Sequence, residues 1–165
     1  MKILIADDHI VVRKGLRQII LDEFPFAEIE EVGDAEDLIN KVMKGKWDIV
    51  ISDLSMPGRS GLDSLVHIKE HFPELPVLIL SVYPEEQYGV RVLKAGASGY
   101  LTKDSAPEEL IKAMRLVMLG KKYITPAVAE KLISTLNHPN ENQLHEQLSD
   151  REFEVLKLLA KGKSI

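Results

Sequence analysis

Lys2-Ile3-Leu4-Ile5-Ala6-Asp7-Asp8 opens the chain with four apolar residues that run straight into two adjacent carboxylates. No polar residue alternates with the apolar ones. The segment therefore reads as a strand buried on both faces, as in a parallel sheet. The pattern then recurs. Ile49-Val50-Ile51 leads to Asp53, Val77-Leu78-Ile79-Leu80 ends at Ser81, and Ala97 to Leu101 precedes Lys103. Helix-period stretches separate these runs, and that alternation predicts an α/β fold with a doubly wound parallel sheet. Such sheets bind their ligands outside the carboxyl ends of the strands. Asp7, Asp8, Asp53, Ser81 and Lys103 should converge there, and core packing asks for none of them.

The remaining elements follow from period and punctuation. The first strand, Lys2 to Ala6, precedes a helix with Val12, Leu16, Ile19 and Ile20 on one face. Gly15 weakens that helix by about 1 kcal/mol relative to Ala, and Phe24-Pro25 ends it. A short strand near Ile29–Val32 comes next, then a helix from Ala35 to Lys44 with Gly45 as its C-cap. Trp47 to Ser52 reads as the third strand, Met56 to Gly61 as a turn-rich loop, and Leu62 to His71 as a helix. The fourth strand follows Pro76, and a helix from Glu85 to Ala95 lies between Pro84 and Gly96. The fifth strand is Ala97 to Leu101. Pro107 opens a helix that turns Leu110, Ile111, Met114, Val117 and Met118 inward and stops at Gly120. Five strands and five helices thus complete a domain over residues 1–120.

Beyond Gly120 the character changes. Thr125-Pro126 opens a further helix, Ala127 to Leu136, and residues 137–143 are polar. Ser149-Asp150-Arg151-Glu152 has the form of a capping box, followed by the strongly apolar Phe153, Val155, Leu156, Leu158, Leu159 and Ala160. The expected division is 1–120, a helical linker over 121–147, and the opening of another domain over 148–165. That last helix needs an apolar partner, so pairing between copies into a homodimer is one expected outcome.

Composition excludes several classes. The apolar fraction of 45% is ordinary for a globular protein. With no cysteine there are no disulfides or thiolate metal sites, which suits the cytoplasm. No apolar stretch suggests a membrane span, and the early acids argue against a signal peptide. Of 21 basic and 26 acidic residues, the last 45 positions hold 7 and 6, leaving 14 and 20 for the first 120. An acidic body of this kind does not by itself attract nucleic acid.

Three carboxylates at neighbouring strand ends repel one another unless a cation neutralises them. Oxygen ligands without Cys favour a hard divalent ion, Mg²⁺ above all. A lysine and a hydroxyl from the next strands suit an anion beside that ion. Together they point to a phosphoryl group carried on a carboxylate. Taken singly, Asp8 could cap the first helix and Ser81 a turn.

These residues, in this order, resemble the receiver domain of bacterial two-component response regulators: Asp7-Asp8, Asp53, Ser81, and Tyr100 with Lys103. Asp7-Asp8-His9 followed by Val12-Arg13-Lys14-Gly15-Leu16, and then Met56-Pro57-Gly58, resembles the NarL/FixJ branch. Leu148-Ser149-Asp150-Arg151-Glu152-Phe153-Glu154-Val155-Leu156 looks like the start of a LuxR-type helix-turn-helix. The resemblance implies a five-stranded, flavodoxin-like receiver with Asp53 as phosphoacceptor. Asp8 would bind Mg²⁺ directly and Asp7 mainly through water, with Asp53 and the backbone carbonyl of Ser55 completing the protein ligands. Lys103 would pair with a phosphoryl oxygen and Ser81 would hydrogen-bond the phosphoryl group. Tyr100 would switch rotamer with it, unless it is only an amphipathic rim residue. A sensor histidine kinase would be the phosphodonor, and His9 would lie near the site without a catalytic role. The protein would be no turnover enzyme but a switch for a DNA-binding output that regulates transcription.

Two departures from the family pattern stand out. Asp104 follows Lys103 where many receivers have Pro, so a trans peptide is expected there. The helix that would enter the DNA groove is missing, so a regulator truncated within its DNA-binding domain, itself without DNA affinity, is expected. Two rival readings remain open. An aspartyl-phosphate phosphatase would want a second acid at the position of Ser55. A receiver-like interaction module that is never phosphorylated would not need the acid cluster.

Overall fold

The computed structural model describes residues 1–105 and 107–137. Five strands, β1 (Lys2–Ala6), β2 (Glu28–Val32), β3 (Ile49–Asp53), β4 (Val77–Ser81) and β5 (Gly99–Thr102), alternate with five helices. These are α1 (Ile10–Glu23), α2 (Ala35–Lys44), α3 (Gly61–His71), α4 (Glu85–Lys94) and α5 (Pro107–Met118), and α6 (Pro126–Asn137) follows. All strands pair in parallel, in the order β2-β1-β3-β4-β5. The chain leaves β1 toward β2 on one side and returns to β3 on the other, so the crevice of this doubly wound sheet lies above β1 and β3.

The uninterrupted apolar runs are explained by two cores. Leu4, Val50, Ile79 and Tyr100 face one layer with Leu38 and Val42 of α2, Leu65 and Ile68 of α3, and Tyr88 and Val92 of α4. Ile3, Ile5, Ile51, Leu78 and Leu101 face the other, against Leu16 and Ile20 of α1 and Leu110, Met114 and Val117 of α5. Successive side chains of a strand point to opposite faces, so a sheet covered on both sides shows no polar alternation.

Element ends shift by a few residues from the expectation. β3 starts at Ile49 rather than Trp47. The Trp47 indole N–H instead donates to the Lys41 carbonyl at 3.0 Å, and Asp48 Oδ2 accepts the Lys2 N–H at 2.7 Å. β5 starts at Gly99 rather than Ala97, because the Ala97 N–H turns back to the Val92 carbonyl. Gly45 does follow α2 as its C-cap, but in an extended conformation with φ −113°. Gly96 and Gly120, at φ +104° and +75°, are the helix-ending glycines that use the left-handed region. No cis peptide occurs among the described residues.

The helix after Gly120 is seated rather than free. Tyr123 bridges to Gly99 at the edge of β5, and α6 packs along α4. The seat is a notch at Gly89, where an added Cβ would lie 2.7 Å from Val128 Cγ2. Thr125 Oγ1 donates to Glu85 Oε2 at 2.8 Å, and Lys131 donates to the Glu86 carbonyl. The polar stretch from residue 138 on, the capping box, and the expected helix-turn-helix opening at 148–165 with its pairing into a dimer lie outside the described residues. No described helix is long and apolar enough to cross a membrane.

Candidate functional site

Five of the expected residues meet at the carboxyl ends of the strands, each placed by its own strand. Asp7 continues β1, its N–H bonded to the Val32 carbonyl at 3.2 Å. Its side chain is buried, and Oδ1 accepts the His9 N–H at 2.8 Å. His9, not Asp8, is the N-cap residue of α1, and it makes no side-chain cap bond. Asp8 is thus no helix cap; it stays partly exposed with Oδ1 2.7 Å from His9 Nδ1. Asp53 ends β3, and its Oδ1 accepts the Ser55 N–H at 3.1 Å.

Lys103 joins these acids from across the sheet. Its backbone N–H bonds the Ser81 carbonyl at 2.7 Å, which anchors the turn after β5 to the end of β4. From there Nζ reaches Asp53 Oδ2 at 2.7 Å and Asp7 Oδ2 at 2.6 Å. Those two carboxylates are 3% and 2% exposed, the lysine side chain 12%. One ammonium therefore balances two buried carboxylates. Burial pushes the Asp53 carboxyl above its ordinary value; the Lys103 bond and the Ser55 N–H oppose that shift without cancelling it, and Asp7 adds to it. For Lys103, burial favours the neutral amine, but the bond to Asp53 and the ion pair with Asp7 outweigh it and its pKa rises.

Ser81 is fully buried, and its Oγ accepts the Tyr83 N–H at 3.3 Å. To that extent it does cap a turn. Tyr100 is no rim residue: it is 2% exposed, and its hydroxyl donates to the Tyr83 carbonyl at 2.8 Å. Burial pushes this phenol up to about 12. The Tyr83 ring stacks on Tyr88 of α4, with centroids 4.9 Å apart at 29°. A continuous path thus runs from Ser81 through Tyr83 to α4.

The donor set fits a hard divalent cation. Ligand atoms of Asp7, Asp8, His9 and Asp53 lie within 4.8 Å of one another. Asp7 Oδ2 is buried without an aligned hydrogen bond, although Lys103 Nζ is close, so a lone pair there remains available. Carboxylate oxygens dominate the cluster, as Mg²⁺ requires.

The roles of two further residues were not legible in the sequence. Arg13, one turn into α1, donates to the Asp7 carbonyl and places Nε 3.3 Å from Glu31 Oε2, tying the β1 loop to β2. A basic residue six positions after Asp7 was the available signal. Tyr83 acts through its backbone carbonyl, which no side-chain pattern reveals.

Comparison with known proteins agrees with this geometry. Residues 3–115 match the response regulator receiver domain. The oxygen regulatory protein NreC of Staphylococcus haemolyticus is 40% identical over 169 aligned positions, which span 98% of this chain and 78% of that protein. A LuxR-family two-component response regulator from Aurantimonas superposes with a TM-score of 0.73 at 30% identity, covering 83% of this chain and 98% of that one. RcsB of Salmonella enterica serovar Typhimurium, bound to promoter rprA with the phosphomimetic BeF3-, gives 0.69 at 30% identity over 99% of this chain and 79% of its own. The buried acids at the strand ends, their shared lysine and these likenesses agree, and the chain belongs to the response regulator family, with its receiver domain at residues 3–115.

Proposed function

We propose that Asp53 accepts a phosphoryl group from a sensor histidine kinase and that this event resets α4 and the segment seated on it. The observation that carries the reading is the Asp53 carboxylate at the mouth of β3, flanked by Asp7 and Asp8 and held 2.7 Å from Lys103 Nζ. An Asp53 oxygen attacks phosphorus, and the bond from phosphorus to the donor nitrogen breaks as the new P–O bond forms. Asp8, Asp53 and the Ser55 carbonyl, with Asp7 mainly through water, would hold Mg²⁺, which would supply positive charge against the phosphoryl oxygens. Lys103 pairs with one of those oxygens, exchanging a contact with carboxylate for one with phosphoryl.

Ser81 donates its hydroxyl to the phosphoryl group. That reorients Oγ and loosens its bond to the Tyr83 N–H. Tyr100 follows, because its own hydroxyl rests on the Tyr83 carbonyl. The stacked Tyr83–Tyr88 pair carries the change into α4, whose Gly89 notch seats Val128 of α6. The protein thus acts as a phosphorylation switch, with intrinsic phosphotransfer and autodephosphorylation chemistry rather than turnover of a substrate. By analogy with RcsB, solved on a promoter with a phosphomimetic, the output is regulation of transcription through DNA. The receiver spans 1–120, the linker 121–147 and the helix-turn-helix opening 148–165; the protein works in the cytoplasm and pairs as a homodimer.

Incubation with Mg²⁺ and acetyl phosphate, followed by intact mass measurement, tests the assignment. The wild type should gain one phosphoryl group and Asp53→Asn none. Incorporation at the wild-type level in Asp53→Asn would refute it.

A further inference from the structure

His67-Ile68-Lys69-Glu70-His71 forms the last turn of α3, and the site at Asp53 uses none of these residues. His67 and His71 are four residues apart and Glu70 is three from His67, so all three share one helix face. The order H-x-x-E-H on a helix is a recognised zinc-binding spacing, in which both histidines ligate the metal.

The structure adds three observations. One ligand atom each from His67, Glu70 and His71 lie within 4.8 Å of one another, and the two imidazole centroids are 4.6 Å apart. His71 Nδ1 is 2.9 Å from the His67 carbonyl oxygen. With Nδ1–H donating there, Nε2 keeps its lone pair for a metal, the arrangement that commonly orients ligating histidines. Lys69, which could otherwise compete for Glu70, is drawn away to the carbonyls of Pro73 and Leu75, at 3.0 and 2.5 Å. Glu70 and His71 are exposed, so an ion can reach them without any opening of the fold.

We propose that the end of α3 is a second metal site, bound through His67, His71 and Glu70 and selective for a borderline divalent transition ion such as Zn²⁺ or Ni²⁺. Two imidazoles and one carboxylate suit such ions, whereas Mg²⁺ prefers oxygen alone and is left to the acids around Asp53. Water completes the coordination, because the turn lies on open surface. An ion there clamps the turn that leads through Phe72 into β4, the strand that carries Ser81.

Calorimetric titration of the full chain with Zn²⁺, in millimolar Mg²⁺ to occupy the acidic site, provides the test. Saturable binding of one ion per chain is expected. His67→Ala and His71→Ala should each weaken it by about tenfold or more, since even outer-shell partners of metal ligands are worth 10–100-fold. Asp53→Asn should leave Zn²⁺ binding unchanged. Nitrogen NMR should show the imidazole resonances of His67 and His71 shifting with Zn²⁺ while those of His9 stay fixed. Should an alanine variant fail to fold, as judged by circular dichroism, these resonances in the wild type decide the question. The proposal is overturned if Zn²⁺ fails to saturate the wild type, if folded His67→Ala/His71→Ala binds as the wild type does, or if Asp53→Asn abolishes binding.

Discussion

Replacing Lys103 by Met should cost this fold far more than loss of a surface charge, because the ammonium sits between two carboxylates that water barely reaches. Lys103 Nζ lies 2.7 Å from Asp53 Oδ2 and 2.6 Å from Asp7 Oδ2. Methionine keeps most of the stem volume, so the packing term is small and the electrostatic term dominates. Removing one partner of a buried ion pair typically costs about 3–5 kcal/mol, since it strands an uncompensated charge. With the lysine side chain 12% exposed, water enters the space it leaves, and the lower end, about 3 kcal/mol, is the expected loss. For a domain of this size that corresponds to a fall in Tm of roughly 10 °C. Urea unfolding in EDTA, followed by the fluorescence of Trp47, the single tryptophan, measures it directly. Two further signatures separate charge from packing. The deficit should shrink as pH falls and the stranded Asp53 takes up a proton, and millimolar Mg²⁺ should restore more stability to the variant than it adds to the wild type. An unchanged urea midpoint in EDTA, or equal gains from Mg²⁺ in both proteins, would refute the reasoning.

Mg²⁺ should stabilise the wild type by mass action, about 2.7 kcal/mol at a hundred times its dissociation constant, and Asp8→Ala should abolish that rise; coincident thermal melts of the wild type in EDTA and in Mg²⁺ would contradict it. Asp53→Asn should stabilise the protein near neutrality. The folded carboxyl titrates above its ordinary 3.8, so its favourable contribution is complete below 3.8 and lost as pH rises through the folded value. The advantage of the amide should therefore shrink as pH falls toward 3.8, and urea midpoints that diverge on acidification count against it. Gly89→Val should unseat α6, because its Cβ would meet Val128 Cγ2 at 2.7 Å and the β-branched valine yields little. Faster amide exchange in α6, partly reversed by adding Val128→Ala, is the expected result, and unaltered exchange would show that the seat lies elsewhere.

What the sequence determined alone is local. Apolar runs without alternation announce strands covered on both faces, and the residue that breaks each run announces what stands at its carboxyl end. Asp7, Asp53, Ser81 and Lys103 were legible for that reason, as were the glycines that stop α4 and α5. Tyr100 was legible through its place in the family pattern; its depth of burial was not. Tertiary structure decided how these ends meet. The strand order sets β1 beside β3 and puts Lys103 beyond β4, so that one ammonium spans to two acids, one of them fifty residues away in sequence. The Tyr83 carbonyl under Tyr100, the Arg13 tether on the Asp7 loop and the notch at Gly89 that seats Val128 belong to the same class. Each depends on a distance between distant segments, set by crossovers and packing. Side-chain periodicity records which face of an element is buried, not which neighbour buries it.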